Sequence, residues 1–180
     1  FCFGKNRKYC IEKLKELFKG AVIVIDEIKL DNIAVHSRII RDYIKNGDIK
    51  MANKLLGKKY KIYGQKIKGQ GLGAKSFVPT INLKVDEFLL PNEGVYITKT
   101  ILDEQEFNSI TFLGHRFTTD GSYAIETHIL DRDIEDKDYT TQIKFCEKLR
   151  ENKKFDSFEE LKNQILDDIK SAKNYFINIY

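Results

Sequence analysis

The chain has 180 residues, 42% of them hydrophobic and 32% charged, with a net charge of +4. That is enough for one well-buried domain, or for one domain and part of another. No apolar run approaches the ~20 residues needed to cross a bilayer, and the opening Phe1-Cys2-Phe3-Gly4-Lys5 lacks the basic-then-apolar order of a signal peptide.

Three cysteines, Cys2, Cys10 and Cys146, form an odd set without a C-x-x-C pair. Free, reduced thiols in a cytoplasmic protein are expected, with no zinc site, no membrane contact and no nucleic-acid partner. The only methionine is Met51, so the chain reads as the C-terminal part of a longer one. Charge is unevenly spread. Residues 58–76 carry six basic and no acidic side chains, whereas 77–138 carry five basic and thirteen acidic. Such a basic stretch suits an anionic partner, though a solvated lysine face has the same composition.

In chain order, Ile11, Leu14, Leu17 and Phe18 fall at helical spacing over 8–19, with Gly20 placed to stop the helix. The apolar run 21–25 predicts a strand covered on both faces, and Asp26 would sit at its C-terminal end, where open α/β sheets bind ligands. Two short helices are predicted over 37–57: Ser37 caps the first and Gly47 ends it; Asp48 caps the second and Gly57 ends it. After Gly57 the texture changes to short β-branched and aromatic runs at 60–67 (interrupted at Gly64), 79–85, 94–100, 107–114 and 122–130. Turn-forming residues separate them, which predicts a small antiparallel barrel. The chain closes on a helix opened by Ser157-Phe158-Glu159-Glu160. Phe158, Leu161, Ile165, Ile169, Ala172 and Phe176 line one face as a core stripe.

Three segments carry chemistry. Gly69-Gln70-Gly71-Leu72-Gly73-Ala74-Lys75-Ser76 nearly spells a P-loop. Ala74 stands where that motif needs glycine, however, and Phe77-Val78-Pro79-Thr80-Ile81 favours an extended chain over the required helix. Alternate glycines still let backbone N–H groups approach phosphate. Thr80 and Asn82, two apart, share a strand face and present two neutral oxygen donors, suited to Mg²⁺ shared with a nucleotide. They also fit an ordinary exposed face. Glu126 shares a face with His128, opposite Ile125, Thr127 and Ile129, and is a candidate general base. A solvent-facing glutamate would look the same.

Together the segments resemble the riboflavin kinase domain of the bacterial bifunctional riboflavin kinase/FMN adenylyltransferases (FAD synthetases). The resemblance rests on Val78-Pro79-Thr80-Ile81-Asn82, Leu90-Pro91-Asn92-Glu93-Gly94-Val95-Tyr96, Leu113-Gly114-His115-Arg116-Phe117-Thr118 and Glu126-Thr127-His128-Ile129-Leu130-Asp131. It continues through Leu149-Arg150 and Lys154-Phe155-Asp156-Ser157. It implies a mainly β fold: a six-stranded antiparallel Greek-key barrel with a C-terminal helix over 58–180, preceded by a partial α/β nucleotidyltransferase-type segment over 1–57. It further implies phosphorylation of riboflavin to FMN with ATP and Mg²⁺. Glu126 would be the base, Thr80 and Asn82 the metal and phosphate ligands, Gly69, Gly71, Gly73 and Lys75 the nucleotide loop, and Arg150 and Phe155 flavin neighbours.

Residues 1–57 resemble the end of the adenylyltransferase domain, with Ser37 and Arg41 in its nucleotide loop. The H-x-G-H segment of that domain is absent, so FAD formation is expected only of a longer parent chain carrying the N-terminal domain. The rival from the residues alone is a barrel binding single-stranded nucleic acid through its lysines and aromatic rings. The acidic stretch 77–138 argues against it.

Overall fold

The computed structural model describes residues 2–69 and 78–178, and by packing the chain divides between Ala34 and Val35. The first unit holds helix α1 (Ile11–Leu17) and a two-residue hairpin, β1 (Lys29–Leu30) and β2 (Ile33–Ala34). The strand expected at 21–25 does not form. Ile23 is 86% and Ile25 85% exposed. A strand covered on both faces needs neighbours to take its N–H and C=O groups, and no described strand pairs with this segment.

In the second unit α2 (Ser37–Lys45) and α3 (Ile49–Leu56) precede the barrel. Asp48 caps α3 as expected, its Oδ1 accepting from the Met51 N–H at 3.1 Å, and Gly57 ends it in the left-handed conformation. Ser37 is not a cap. It is the first residue of α2, and the preceding His36 occupies the cap position without a side-chain bond to the helix. The helices pack with the barrel. Ile49 is part of its core, Asn53 Nδ2 donates to the Phe145 carbonyl at 2.9 Å, and Asn53 Oδ1 accepts from the Tyr60 N–H at 2.6 Å.

Six strands close the barrel: β3 (Lys61–Ile67), β4 (Ile81–Lys84), β5 (Gly94–Leu102), β6 (Gln105–His115), β7 (Tyr123–Ile129) and β8 (Thr141–Glu151). Around the barrel they run β3-β4-β7-β6-β5-β8, all antiparallel, with the non-sequential neighbours of a Greek key. Closure leaves no sheet edge to aggregate. β3 runs through Gly64 without the expected interruption. Individual residues had suggested five strands; β8, the sixth, buries Thr141, Ile143 and Phe145 by simple alternation.

Inside, one end is apolar: Ile62, Leu83, Leu113, Ile125 and Ile143 surround Tyr96 and Phe145, whose rings meet edge to face at 5.3 Å. Toward the other end lies a knot of hydroxyls. Thr98 bonds Ser109 and Thr111 at 2.8 Å, and Thr127 bonds Thr100 and Thr111 at 3.0 Å, all fully buried. Each hydroxyl can both donate and accept, and each has at least two hydroxyl partners in the group. The last helix, α4 (Phe158–Ile177), covers part of the outer wall. Its N-cap Ser157 accepts from the Glu160 N–H, Ala172 and Phe176 are buried against Val95, Ile97 and Ile110, and Phe158 is 57% exposed rather than core.

Elsewhere on the outer wall Lys99 and Lys144 lie directly opposite on β5 and β8, a repulsive arrangement that Glu106 relieves with 2.8 Å bonds to both. Those two hydrogen bonds, Lys144's first, depress the Glu106 carboxyl from 4.5 to about 2. A depressed carboxyl stabilises the fold above its unfolded value and loses that contribution as pH falls through the folded one. The melting-temperature gap between the wild type and Glu106→Gln is therefore expected to be full at pH 6 and to close as the pH is lowered from 4.5 toward 2. A gap independent of pH would contradict the assignment.

Candidate active site

Outward-facing positions on five adjacent strands fall in a single row. Asn82 of β4 lies opposite Glu126 of β7, Glu126 opposite Phe112 of β6, Phe112 opposite Val95 of β5, and Val95 opposite Arg150 of β8. At about 4.8 Å per strand the row spans roughly 19 Å of the barrel wall. All five residues line one cavity, closed on its other side by Leu161, Ile165 and Asp168 of α4. Its middle is apolar and its ends are polar. The enclosed volume, about 180 Å³, is below the ~300 Å³ of a complete small-molecule pocket, so it encloses only part of a ligand.

At one end Arg116, the first residue after β6, organises the polar groups. Its Nε donates to Glu126 Oε1 at 2.9 Å and its Nη2 donates to the same oxygen. Nη2 also reaches Asn82 Oδ1 at 2.9 Å, and Nη1 reaches Ser122 Oγ at 2.7 Å. His128, one turn of the pleat from Glu126, bonds the Pro79 carbonyl through Nδ1 at 2.8 Å and so anchors the chain beside Thr80. At the other end Arg150 forks onto Asp168 at 2.7–3.0 Å, and Gln164 supports the same carboxylate. Asp168 is nearly buried; removing one partner of such a pair costs about 3–5 kcal/mol. Arg150 and Lys153 both lie over the ring of Phe155.

A second cavity of about 450 Å³ adjoins the first, and Asn82 and Arg116 line both. Lys68, Gly69 and Lys84 are among the residues that line it. Two cavities meeting at an amide and a guanidinium, with the Glu126 carboxylate in the first of them, is an arrangement suited to bringing two substrates together. The family model described as Flavokinase, riboflavin kinase, matches residues 56–176. The chain belongs to the riboflavin kinase family.

Relatives agree. The bifunctional riboflavin kinase/FMN adenylyltransferase of Haemophilus influenzae is 33% identical over 181 residues, covering 98% of this chain and 59% of its own. That of Bacillus subtilis is 27% identical, with 99% and 59% covered. A solved structure described as a macrolide-efflux protein from Streptococcus pneumoniae superposes with a TM-score of 0.86 at 29% identity, covering 97% of this chain and 58% of that one. The chain thus spans a little over half the length of the relatives it matches. Among the described residues no helix is long and apolar enough to cross a membrane.

Of the residues expected at a riboflavin kinase site, the fold gathers Thr80, Asn82, Glu126, Arg150 and Phe155 around the first cavity and Gly69 at the second. Gly71, Gly73 and Lys75 lie outside the described residues. Ser37 and Arg41 are exposed on α2 and line neither cavity.

Three features went unread. Arg116 lies inside the segment Leu113-Gly114-His115-Arg116-Phe117-Thr118 that carries the resemblance, which assigns it no role. Asp168 sits seven residues after Leu161 and three after Ile165, a charge on the inward face of an apolar stripe, which is itself a signal of a buried partner. That stripe was read as core alone, yet Leu161 and Ile165 wall the cavity. The third is a clamp on the Arg116 turn. Glu93 Oε1 pairs with His115 Nδ1 at 2.7 Å, and Glu93 Oε2 accepts from the His115 N–H and from Asn152. Partial burial pushes the Glu93 carboxyl up, but the Asn152 and His115 bonds outweigh it and hold it below the ordinary range.

Gly69 packs directly on the amide of Asn82. A Cβ there would come within 2.3 Å of Nδ2. Because that atom ends a flexible side chain, the fold can yield at little cost while the amide is displaced. Gly69→Ala is therefore expected to change unfolding free energy by less than about 0.5 kcal/mol and to lower riboflavin phosphorylation about tenfold or more. Unchanged turnover would contradict the contact's importance.

Proposed function

We propose that this chain transfers the γ-phosphoryl group of ATP to the terminal ribityl hydroxyl of riboflavin, with Glu126 as general base. The observation that supports it most is Glu126 at one polar end of a cleft with an apolar middle, beside a second cavity lined by Lys68 and Lys84. Riboflavin has the same polarity, a flat tricyclic ring carrying a polyol tail. The ring lies along Val95, Phe112 and Ile165, and the tail points to Glu126. ATP enters the second cavity, where Lys68 and Lys84 offset its charge. Gly69 lines that cavity, and Gly71, Gly73 and Lys75, which follow it in the chain, are proposed to supply further phosphate contacts.

In the transfer, the hydroxyl oxygen forms a bond to the γ-phosphorus as the bond to the β–γ bridging oxygen breaks. The leaving electron pair departs with ADP, and the hydroxyl proton passes to Glu126. Both oxygens must be in line, so most of the catalysis is positioning and charge. Thr80 and Asn82 would hold Mg²⁺. A hydroxyl and an amide oxygen are hard donors, and the Asn82 oxygen, with two lone pairs, has one engaged by Arg116. Two protein ligands suit a cation whose remaining ligands are phosphate and water, and it would supply charge neutralisation on the β- and γ-phosphates.

Residues 1–57, including Ser37 and Arg41, are read as the end of an adenylyltransferase domain, and the longer parent is proposed to convert FMN to FAD in the cytoplasm. Glu126→Gln is expected to lower kcat at least about 10²-fold while ATP still binds. An unchanged kcat removes Glu126 from the mechanism. Asn82→Ala should raise the Mg²⁺ concentration needed for half-maximal turnover, and a superimposable Mg²⁺ titration would count against the ligand role.

A further inference from the structure

Arg116 is the single side chain of the second unit's described residues that both bonds the proposed base and lines the two cavities. Its backbone is fixed. Its N–H donates to the Ser122 carbonyl at 2.9 Å, and its own carbonyl accepts from Thr119 and Gly121 at 3.0 and 3.1 Å. Glu93 and Asn152 hold the preceding residue. A guanidinium on such a mount has little freedom to reorganise, which is what electrostatic catalysis requires.

A guanidinium has five N–H donors. Nε gives one bond, to Glu126; Nη2 gives two, to Glu126 and Asn82; Nη1 gives one, to Ser122. Among the described residues the second Nη1 hydrogen has no acceptor. Both Arg116 bonds to Glu126 fall on Oε1, and among the described residues none is made to Oε2. One carboxylate oxygen is thus pinned and the other is open to receive a proton.

We propose, on the riboflavin kinase reading, that Arg116 is a further catalytic residue. Its guanidinium fixes Glu126 so that Oε2 meets the ribityl hydroxyl, and it offers its charge and remaining Nη1 hydrogen to the γ-phosphate where the two cavities meet. In the transfer the guanidinium loses no proton. It stabilises negative charge on the equatorial oxygens while the oxygen–phosphorus bond forms and the bond to ADP breaks, as arginine does in other phosphoryl transfers.

The test compares wild type, Arg116→Gln and Arg116→Lys in the full chain, measuring FMN formation, melting temperature, and the affinities of ATP and ADP. Arg116→Gln is expected to lower kcat about 10²-fold or more and to weaken ATP about tenfold, with ADP, which lacks the γ-phosphate, changed less than about twofold. Arg116→Lys should keep the preference for ATP over ADP and lose kcat, because an ammonium cannot fork onto Glu126. If the glutamine variant does not fold, the lysine variant carries the comparison. A kcat within about threefold of wild type in the folded variant, or equal weakening of ATP and ADP, overturns the proposal. A wild-type chain that binds ATP but makes no FMN speaks against the kinase reading itself, and the ATP-to-ADP comparison still decides the role of Arg116 in holding the γ-phosphate.

Discussion

Antiparallel register around the barrel is the constraint on which the site depends. Asn82, Glu126, Phe112, Val95 and Arg150 lie far apart in sequence and become neighbours only because five strands pair so that these positions share one row. Side chains alternate between faces, so a slip of one residue in any pair would turn a member of the row inward. The inward neighbours guard against that. Ile125 and Thr127 flank Glu126 and are buried, one in the apolar core and the other in the hydroxyl knot. A slip would bury a carboxylate and expose both, at a cost of several kcal/mol.

The row alone is an open wall. Two additions make it a site, and both are electrostatic. At one end the β6–β7 turn brings Arg116 over Glu126 and Asn82, the turn itself held by Glu93 and Asn152. At the other, Arg150 grips Asp168 and seats α4 against the barrel. Phe155 bridges the two, its N–H bonding Thr118 in the Arg116 turn while Arg150 lies over its ring. Rigid ends with an apolar middle describe a cleft that selects a ligand by shape and orients it by its polar terminus.

Much of this was legible. Strand runs, the caps at Asp48 and Ser157, and the shared faces of Thr80 with Asn82 and of Glu126 with His128 follow from local periodicity and capping chemistry, and the structure carries them. Three-dimensional pairings were not. Nothing local links Arg116 to Asn82, thirty-four residues away, and a salt bridge within a barrel wall leaves only ordinary charged residues in the sequence. Residues 21–25 misled for the opposite reason. Their apolar run is a sound strand signal, but a covered strand is a property of its neighbours, and the described part of the first unit has no partner for it. β8 is harder to read although Thr141, Ile143 and Phe145 alternate with Gln142 and Lys144, because past Phe145 the alternation breaks at the consecutive buried pair Phe145 and Cys146.

The decisive measurement is a crystal structure of the chain with riboflavin and a non-hydrolysable ATP analogue bound together. Glu126 at the meeting point of the two substrates requires a carboxylate oxygen about 2.6–3.2 Å from the terminal ribityl oxygen, in line with the γ-phosphorus. A flavin bound with its ring, rather than its tail, against Glu126, or bound away from the β4–β8 row altogether, would contradict the account.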